Sequence, residues 1–119
     1  MNREIKFRIW NDYDKKMIHW NELLGNNLAN IFTIPSYDKW LMQYTELHDK
    51  NGKEIYEGDI VKYRDSRGQH IEKVIFDKGC FYAGMHWGSS TRLAPKLINT
   101  RITEVIGNIY DNPELLGGE

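Results

Sequence analysis

Apolar and polar residues alternate along much of this chain at the two-residue period of a β-strand, and polar or glycine-bearing turns break the alternation at short intervals. From Glu4 to Trp10, Ile5, Phe7 and Ile9 fall on one side and Lys6 and Arg8 on the other, the pattern of a half-buried strand. Asn11 to Lys16 is a polar turn, and Met17 to Trp20 resumes an apolar run, so the first twenty residues predict a β-hairpin. Asn21 to Ile34 has weak helical spacing at Leu23, Leu24, Leu28 and Ile31, interrupted by Gly25 and asparagines and limited by Pro35. A short helix or an irregular loop is expected there.

Leu41 to Thr45 reads as a strand, followed by Asp49-Lys50-Asn51-Gly52, whose Asx and Gly chemistry predicts a tight turn with a positive φ at its end. Ile55-Tyr56 precedes a bend at Glu57-Gly58-Asp59, and Ile60 to Tyr63 opens a β-branched, aromatic strand. His70 to Asp77 and Cys80 to Trp87 are further strands separated by Lys78-Gly79, Gly88 to Pro95 is a loop, and Ile102 to Tyr110 is a last strand. Asn112, Pro113 and Glu114 supply a cap, a first helical position and a favourable dipole charge for one helical turn. The sum is a mainly β chain of about six or seven short strands, as a partly open barrel or a segmented sheet, with one or two short helical elements. At 119 residues a single domain over 1–119 is expected.

Composition sharpens this picture. Four Trp, seven Tyr and four Phe supply the large side chains a small core needs, and the four Trp are too many to bury fully in so small a domain. Self-association is the favoured use for that aromatic surplus, with core packing as the simpler alternative. The net charge of −1 argues against a generic DNA-coating protein, but the average hides a gradient. Glu46 to Asp59 carries five acidic and two basic residues, whereas Lys62 to Arg101 carries eight basic and three acidic. Cys80 is the one cysteine, so no intramolecular disulfide forms, which favours the cytoplasm, and no apolar run has signal-peptide or membrane-span length.

Three blocks carry a family resemblance: Arg3-Glu4-Ile5-Lys6-Phe7-Arg8-Ile9-Trp10, the stretch from Leu41 to Val61, and Gly107-Asn108-Ile109-Tyr110-Asp111-Asn112-Pro113-Glu114-Leu115-Leu116. Together they resemble the YopX family of phage and prophage proteins across the whole chain, with His70 to Thr100 as the variable part. The resemblance implies a small, largely β fold with a helical element, a bacterial or bacteriophage origin and a propensity to form homo-oligomers; with that origin, the cytoplasm favoured by the lone cysteine is expected to be the bacterial host's. It implies no known activity and no catalytic residues. In Tyr44-Thr45-Glu46-Leu47 a glutamate stands where such proteins more usually carry Gly, so the sequence gives no requirement for a positive φ at Glu46.

Candidate chemistry is sparse. Asp49, Glu54, Glu57 and Asp59 could in principle hold a hard cation or serve as the acid and base of a small metal-dependent hydrolase. Their spacing does not fit an EF-hand loop, and turn chemistry explains them more simply. His19, His48, His70 and His86 are scattered without ligand spacing, and Cys80 in Cys80-Phe81-Tyr82 is expected to be a buried thiol rather than a nucleophile. The glycines never form a phosphate-cradling loop before a helix. No metal, cofactor or catalytic residue is expected. The surface of interest is the basic, aromatic set Lys62, Arg64, Arg67, Lys73, Lys78, Tyr82, Trp87, Arg92 and Lys96, which mixes cations with stacking rings as single-strand nucleic-acid platforms do. Alternation places only one of Phe81 and Tyr82 outward. The expected function is a non-enzymatic, self-associating binding module of phage or prophage origin. The alternative is a nucleic-acid-binding module, and possible partners are a second copy, a nucleic acid or a host or phage protein, with no membrane.

Overall fold

A computed structural model describes residues 5–25, 40–77, 80–84 and 96–116, with backbone alone at 77, 84, 96 and 97. The chain is mainly β and divides into two compact units, 1–44 and 45–119.

The first unit holds the expected hairpin, β1 (Phe7–Asn11) and β2 (Lys16–Ile18), with Ile9 opposite Ile18 and Trp10 opposite Met17. Its turn forms because the Asn11 side-chain oxygen accepts from the Tyr13 and Asp14 amides at 3.0 and 3.1 Å. The first half of β3 (Leu41–His48) pairs antiparallel with the other edge of β1, and the Tyr44 amide donates to the Lys6 carbonyl at 2.9 Å. The simple alternation expected over β1 does not hold. Arg8, Ile9 and Trp10 are consecutive and all buried, while Ile5 is exposed, so both faces of this middle strand are covered. A short helix, α1 (Trp20–Leu24), follows and buries Leu23 beside β1, and the remainder of its expected range lies outside the described residues. Of the tryptophans, Trp10 is buried, Trp20 and Trp40 are half-buried, and Trp87 lies outside the described residues.

The second unit begins with the rest of β3, which pairs with β4 (Glu54–Tyr56), and continues into a five-stranded sheet in the order β8-β7-β6-β5-β9. Its strands are β5 (Asp59–Asp65), β6 (Gly68–Asp77), β7 (Cys80–Gly84), β8 (Lys96–Leu97) and β9 (Glu104–Asn108), all paired antiparallel. The strand total of nine among the described residues exceeds the expected six or seven. The surplus comes from two- and three-residue strands such as β4 and β8, too short to show a period. Ile55, Val61, Tyr63, Val74 and Ala83 form the core, with Leu47, Ile98 and Val105 packed against it.

The two turns that connect β3, β4 and β5 form as their residues dictate. Gly52 closes the first with φ 87° and Gly58 the second with φ 88°, conformations that a side chain would oppose. At the second turn the Asp59 carboxylate accepts from the Tyr56 amide at 2.7 Å, while Gly58 donates to the Val74 carbonyl and accepts from the Ile109 amide, both at 2.9 Å. Glu46 has φ 72°, so the backbone adopts the left-handed conformation at a residue whose side chain does not require it. Flanking strand pairing holds the backbone there. Thr45 Oγ1 bridges the site, donating to the Ile55 carbonyl at 2.7 Å and accepting from the Leu47 amide at 3.1 Å.

At the chain's end, Pro113–Leu116 forms a single 3-10 turn. Asn112 does not simply cap it. Its side-chain oxygen accepts from the Asn108 amide at 3.2 Å, tying the start of the 3-10 turn to the end of β9, and the turn itself lies against β6.

Candidate functional site

Antiparallel register decides which basic residues share a face. Lys62 opposes Ile71, Arg64 opposes Gln69, Lys73 opposes Ile60, and Ile75 opposes Tyr82. Lys62, Arg64, Lys73 and Tyr82 therefore lie on one face of the five-stranded sheet, and Val61, Tyr63, Val74 and Ala83 on the core face. Arg67 is exposed in the β5–β6 turn, and Lys96 holds a register position opposite Ala83, off the basic face. Lys78, Trp87 and Arg92 lie outside the described residues.

Two turns add cations: Lys50, which the sequence pattern did not mark, and Arg101, which it counted in the basic region without singling out. The first carries Lys50. Asp49 is buried, and its carboxylate accepts from the Asn51, Lys53 and Val105 amides, each at 2.9 Å, while the Lys50 amide donates to the Thr103 carbonyl at 2.9 Å. Burial on its own would raise the Asp49 pKa, but the three amide donors and the nearby Lys53 charge outweigh it and hold the carboxyl below the ordinary 3.8. The second turn carries Arg101. Asn99 organises it: its side-chain oxygen accepts from the Arg101 amide at 3.1 Å, and its carbonyl accepts from Thr103 Oγ1 at 2.7 Å. Lys50 stands in the acidic stretch of the sequence, and its neighbour Asp49 accepts an amide from a residue 56 positions away, so no local pattern reveals its place.

Together these elements line a cleft of about 420 Å³ with Lys50, Lys62, Arg64, Gln69, Arg101 and Glu104, backed by Tyr63 and Ile102. Four cations face one carboxylate. Glu104 lies between two of them, its Oε1 at 4.0 Å from Lys50 Nζ and 3.9 Å from Lys62 Nζ. All five charged side chains are at least partly exposed, so the cleft is a wet, cationic surface. Lys73 and Tyr82 share the sheet face without lining the cleft.

Behind the cleft, across the sheet, lies a polar cluster that the scattered histidines did not reveal. The Tyr63 hydroxyl donates to Glu72. The His70 ring stacks on Tyr63 at 4.9 Å and 26°, and its Nε2 lies 2.9 Å from Asp65 Oδ1. Burial, then the hydrogen bond and charge of Glu72, and then the Asp65 charge push the Tyr63 phenol well above its ordinary value. Hairpin register is the signal that would have found the cluster, because Tyr63 directly opposes His70. The cluster adjoins a second hollow of about 260 Å³ lined by Tyr63, Asp65, Ala83, Ile98, Asn99, Ile102 and Thr103.

The other candidate chemistry resolves into structure. The Asp49 and Asp59 carboxylates accept backbone amides in their turns. Among the described residues no group of three or more His, Cys, Asp or Glu is arranged to hold a metal ion. Cys80 is exposed rather than buried, because it opens β7 at the hairpin end, opposite Asp77, while the buried position on that strand is Ala83. Phe81 and Tyr82 are both half-buried, so the expected inward and outward split is blurred. Phe81 is held by a tilted ring contact with Phe76 at 4.9 Å between centroids. No described helix is long and apolar enough to cross a membrane.

Comparison with known proteins agrees with the architecture. The sequence matches the family described as YopX protein over residues 6–117, nearly its whole length, and the chain belongs to that family. A crystal structure of protein EF1440 from Enterococcus faecalis is similar at a TM-score of 0.62 and 24% identity, covering 97% of this chain and 99% of that one. At that identity the likeness speaks to the fold. No curated protein matches the sequence.

Proposed function

We propose that this YopX-family chain is a non-enzymatic binding module of phage or prophage origin that works in the bacterial host cytoplasm and takes the phosphate backbone of a nucleic acid in its basic cleft. The observation that carries the reading is the convergence of Lys50, Lys62, Arg64 and Arg101, from a turn, a strand and a second turn, on one cleft. Cations so gathered attract a polyanion by Coulomb steering and by releasing its condensed counterions, without any need for a catalytic group. Their exposure suits the role, since a phosphate must reach them without a large desolvation cost.

Fluorescence anisotropy with a labelled single strand tests this. The Arg64→Glu, Arg101→Glu variant should bind at least tenfold more weakly than the parent, since each reversal removes one phosphate contact and adds a repulsion. The Lys16→Glu variant, altered on an exposed residue of the first unit, should bind like the parent. Equal binding by all three proteins would refute the cleft.

Self-association is supported by a separate observation. Phe76 is half-exposed and in ring contact with Phe81, an apolar feature that a second copy could cover. Light scattering that shows a monomer at micromolar concentration would remove this second reading.

A further inference from the structure

The cleft contains a residue that simple phosphate capture does not explain. A carboxylate among four cations weakens the attraction for any polyanion, and Glu104 places one between Lys50 and Lys62. The lysines lie at 3.9 and 4.0 Å, beyond hydrogen-bond range, so they hold the charge without saturating the acceptor positions of the carboxylate. Its side chain is 34% exposed, so a ligand seated in the cleft can reach it.

A carboxylate flanked by cations matches a ligand that presents N–H donors between phosphates. A single nucleic-acid strand has that character. Its unpaired bases offer their Watson–Crick edges, which a duplex conceals in pairing. The bases are not equivalent toward a carboxylate. Guanine presents two adjacent donors, N1–H and the N2 amino group, that match both oxygens at once. Thymine and uracil present one N–H between two carbonyls, which repel the carboxylate.

Building on the reading of the cleft as a nucleic-acid site, we propose that Glu104 is its specificity-determining residue and selects an unpaired guanine within a single strand. The guanine edge donates to the carboxylate, and Lys50, Lys62, Arg64 and Arg101 take the phosphates on either side. Lys50 and Lys62 turn from Glu104 to the backbone as the base arrives. Gln69, exposed in the same cleft, supplies an amide within the lining.

The test compares three labelled ten-nucleotide DNA strands by anisotropy: all thymidine, thymidine with one central guanine, and thymidine with one central inosine, which keeps N1–H and lacks the N2 amino group. The parent protein should prefer the guanine strand over the all-thymidine strand by about tenfold, the scale of one good bidentate contact. Inosine should lose most of that preference, with the protein itself unaltered. Glu104→Gln should bind all three strands alike and bind the all-thymidine strand no more weakly than the parent does. Equal affinities of the parent for the three strands would overturn guanine selection while leaving the cleft as a backbone-binding site. A guanine preference that persists in Glu104→Gln would show that another residue reads the base. If no strand binds the parent, both this inference and the reading on which it rests fall.

Discussion

Asp49 shows how one side chain can tie a turn to a distant strand. Its buried carboxylate takes three amides, two from its own turn and one from Val105 in β9, and so brings Lys50 beside Glu104. Replacing it by Asn puts an NH2 group where an amide donor needs an acceptor. The expected loss is about 2–3 kcal/mol in denaturant unfolding, in the range for hydrogen bonds to a charged group. The pH dependence has a definite sign. The folded carboxyl holds its proton less readily than the unfolded one, so the stabilisation is complete above 3.8 and is lost as pH falls through the lower folded value. In Asp49→Asn that part of the acid unfolding should disappear, which melts between pH 2 and 5 would reveal as a flatter profile (the interval is roughly that over which a depressed carboxylate titrates). Glu46 makes the opposite case. Its φ of 72° costs a non-glycine residue about 1–2 kcal/mol, so Glu46→Gly should stabilise the protein by up to about 1 kcal/mol and raise Tm by about 4 °C, whereas Glu46→Val should lower it. The Asx and Gly chemistry of Asp49 to Gly52 was legible in the sequence because it is local. The strained glutamate was not, because nothing in its own side chain asks for that conformation.

Elements were legible where the period was long or a turn residue was explicit. The β1–β2 hairpin, the Asp49 to Gly52 turn, the bend at Gly58 and the antiparallel β5, β6 and β9 follow from alternation and from glycines that adopt positive φ or connect strands. Short strands such as β8 carry too few residues for a period, and β1 breaks its alternation because it is buried on both faces. The join of β9 to the terminal 3-10 turn depends on a close approach that no pattern announces. A Cβ built on Gly107 would lie 2.5 Å from Asn112 Oδ1 and 2.8 Å from its Cγ, and that same oxygen accepts from the Asn108 amide. Gly107→Ala should therefore displace the Asn112 side chain, break that hydrogen bond and cost about 1–3 kcal/mol, the range for overpacking. Gly107→Ala combined with Asn112→Ala should recover part of the loss, because the contacts at 2.5 and 2.8 Å are removed although the hydrogen bond is lost as well. A double variant no better than the sum of the single ones would place the cost elsewhere.

Across the whole molecule, the sequence's excess of positive charge after Lys62 marked the segment that supplies three of the cleft's four cations but did not resolve a surface. Alternating register puts Lys62, Arg64, Lys73 and Tyr82 on one face, while the sharper convergence adds Lys50, through its amide on the Thr103 carbonyl and the Asp49 carboxylate on the Val105 amide, and Arg101, within the Asn99 to Thr103 turn. Such long-range pairings are set by tertiary folding, so a charge count along the chain cannot express them. The central claim is that these four cations engage phosphates together. The most direct measurement is the dependence of single-strand affinity on salt concentration for the parent and for Arg64→Glu, Arg101→Glu. About four phosphate contacts on a single strand predict a log–log slope near −3, and loss of two should bring it to about −1.5 with correspondingly weaker binding. A slope near zero in the parent, or one unchanged in the variant, would contradict the assignment of the cleft as a nucleic-acid-binding surface.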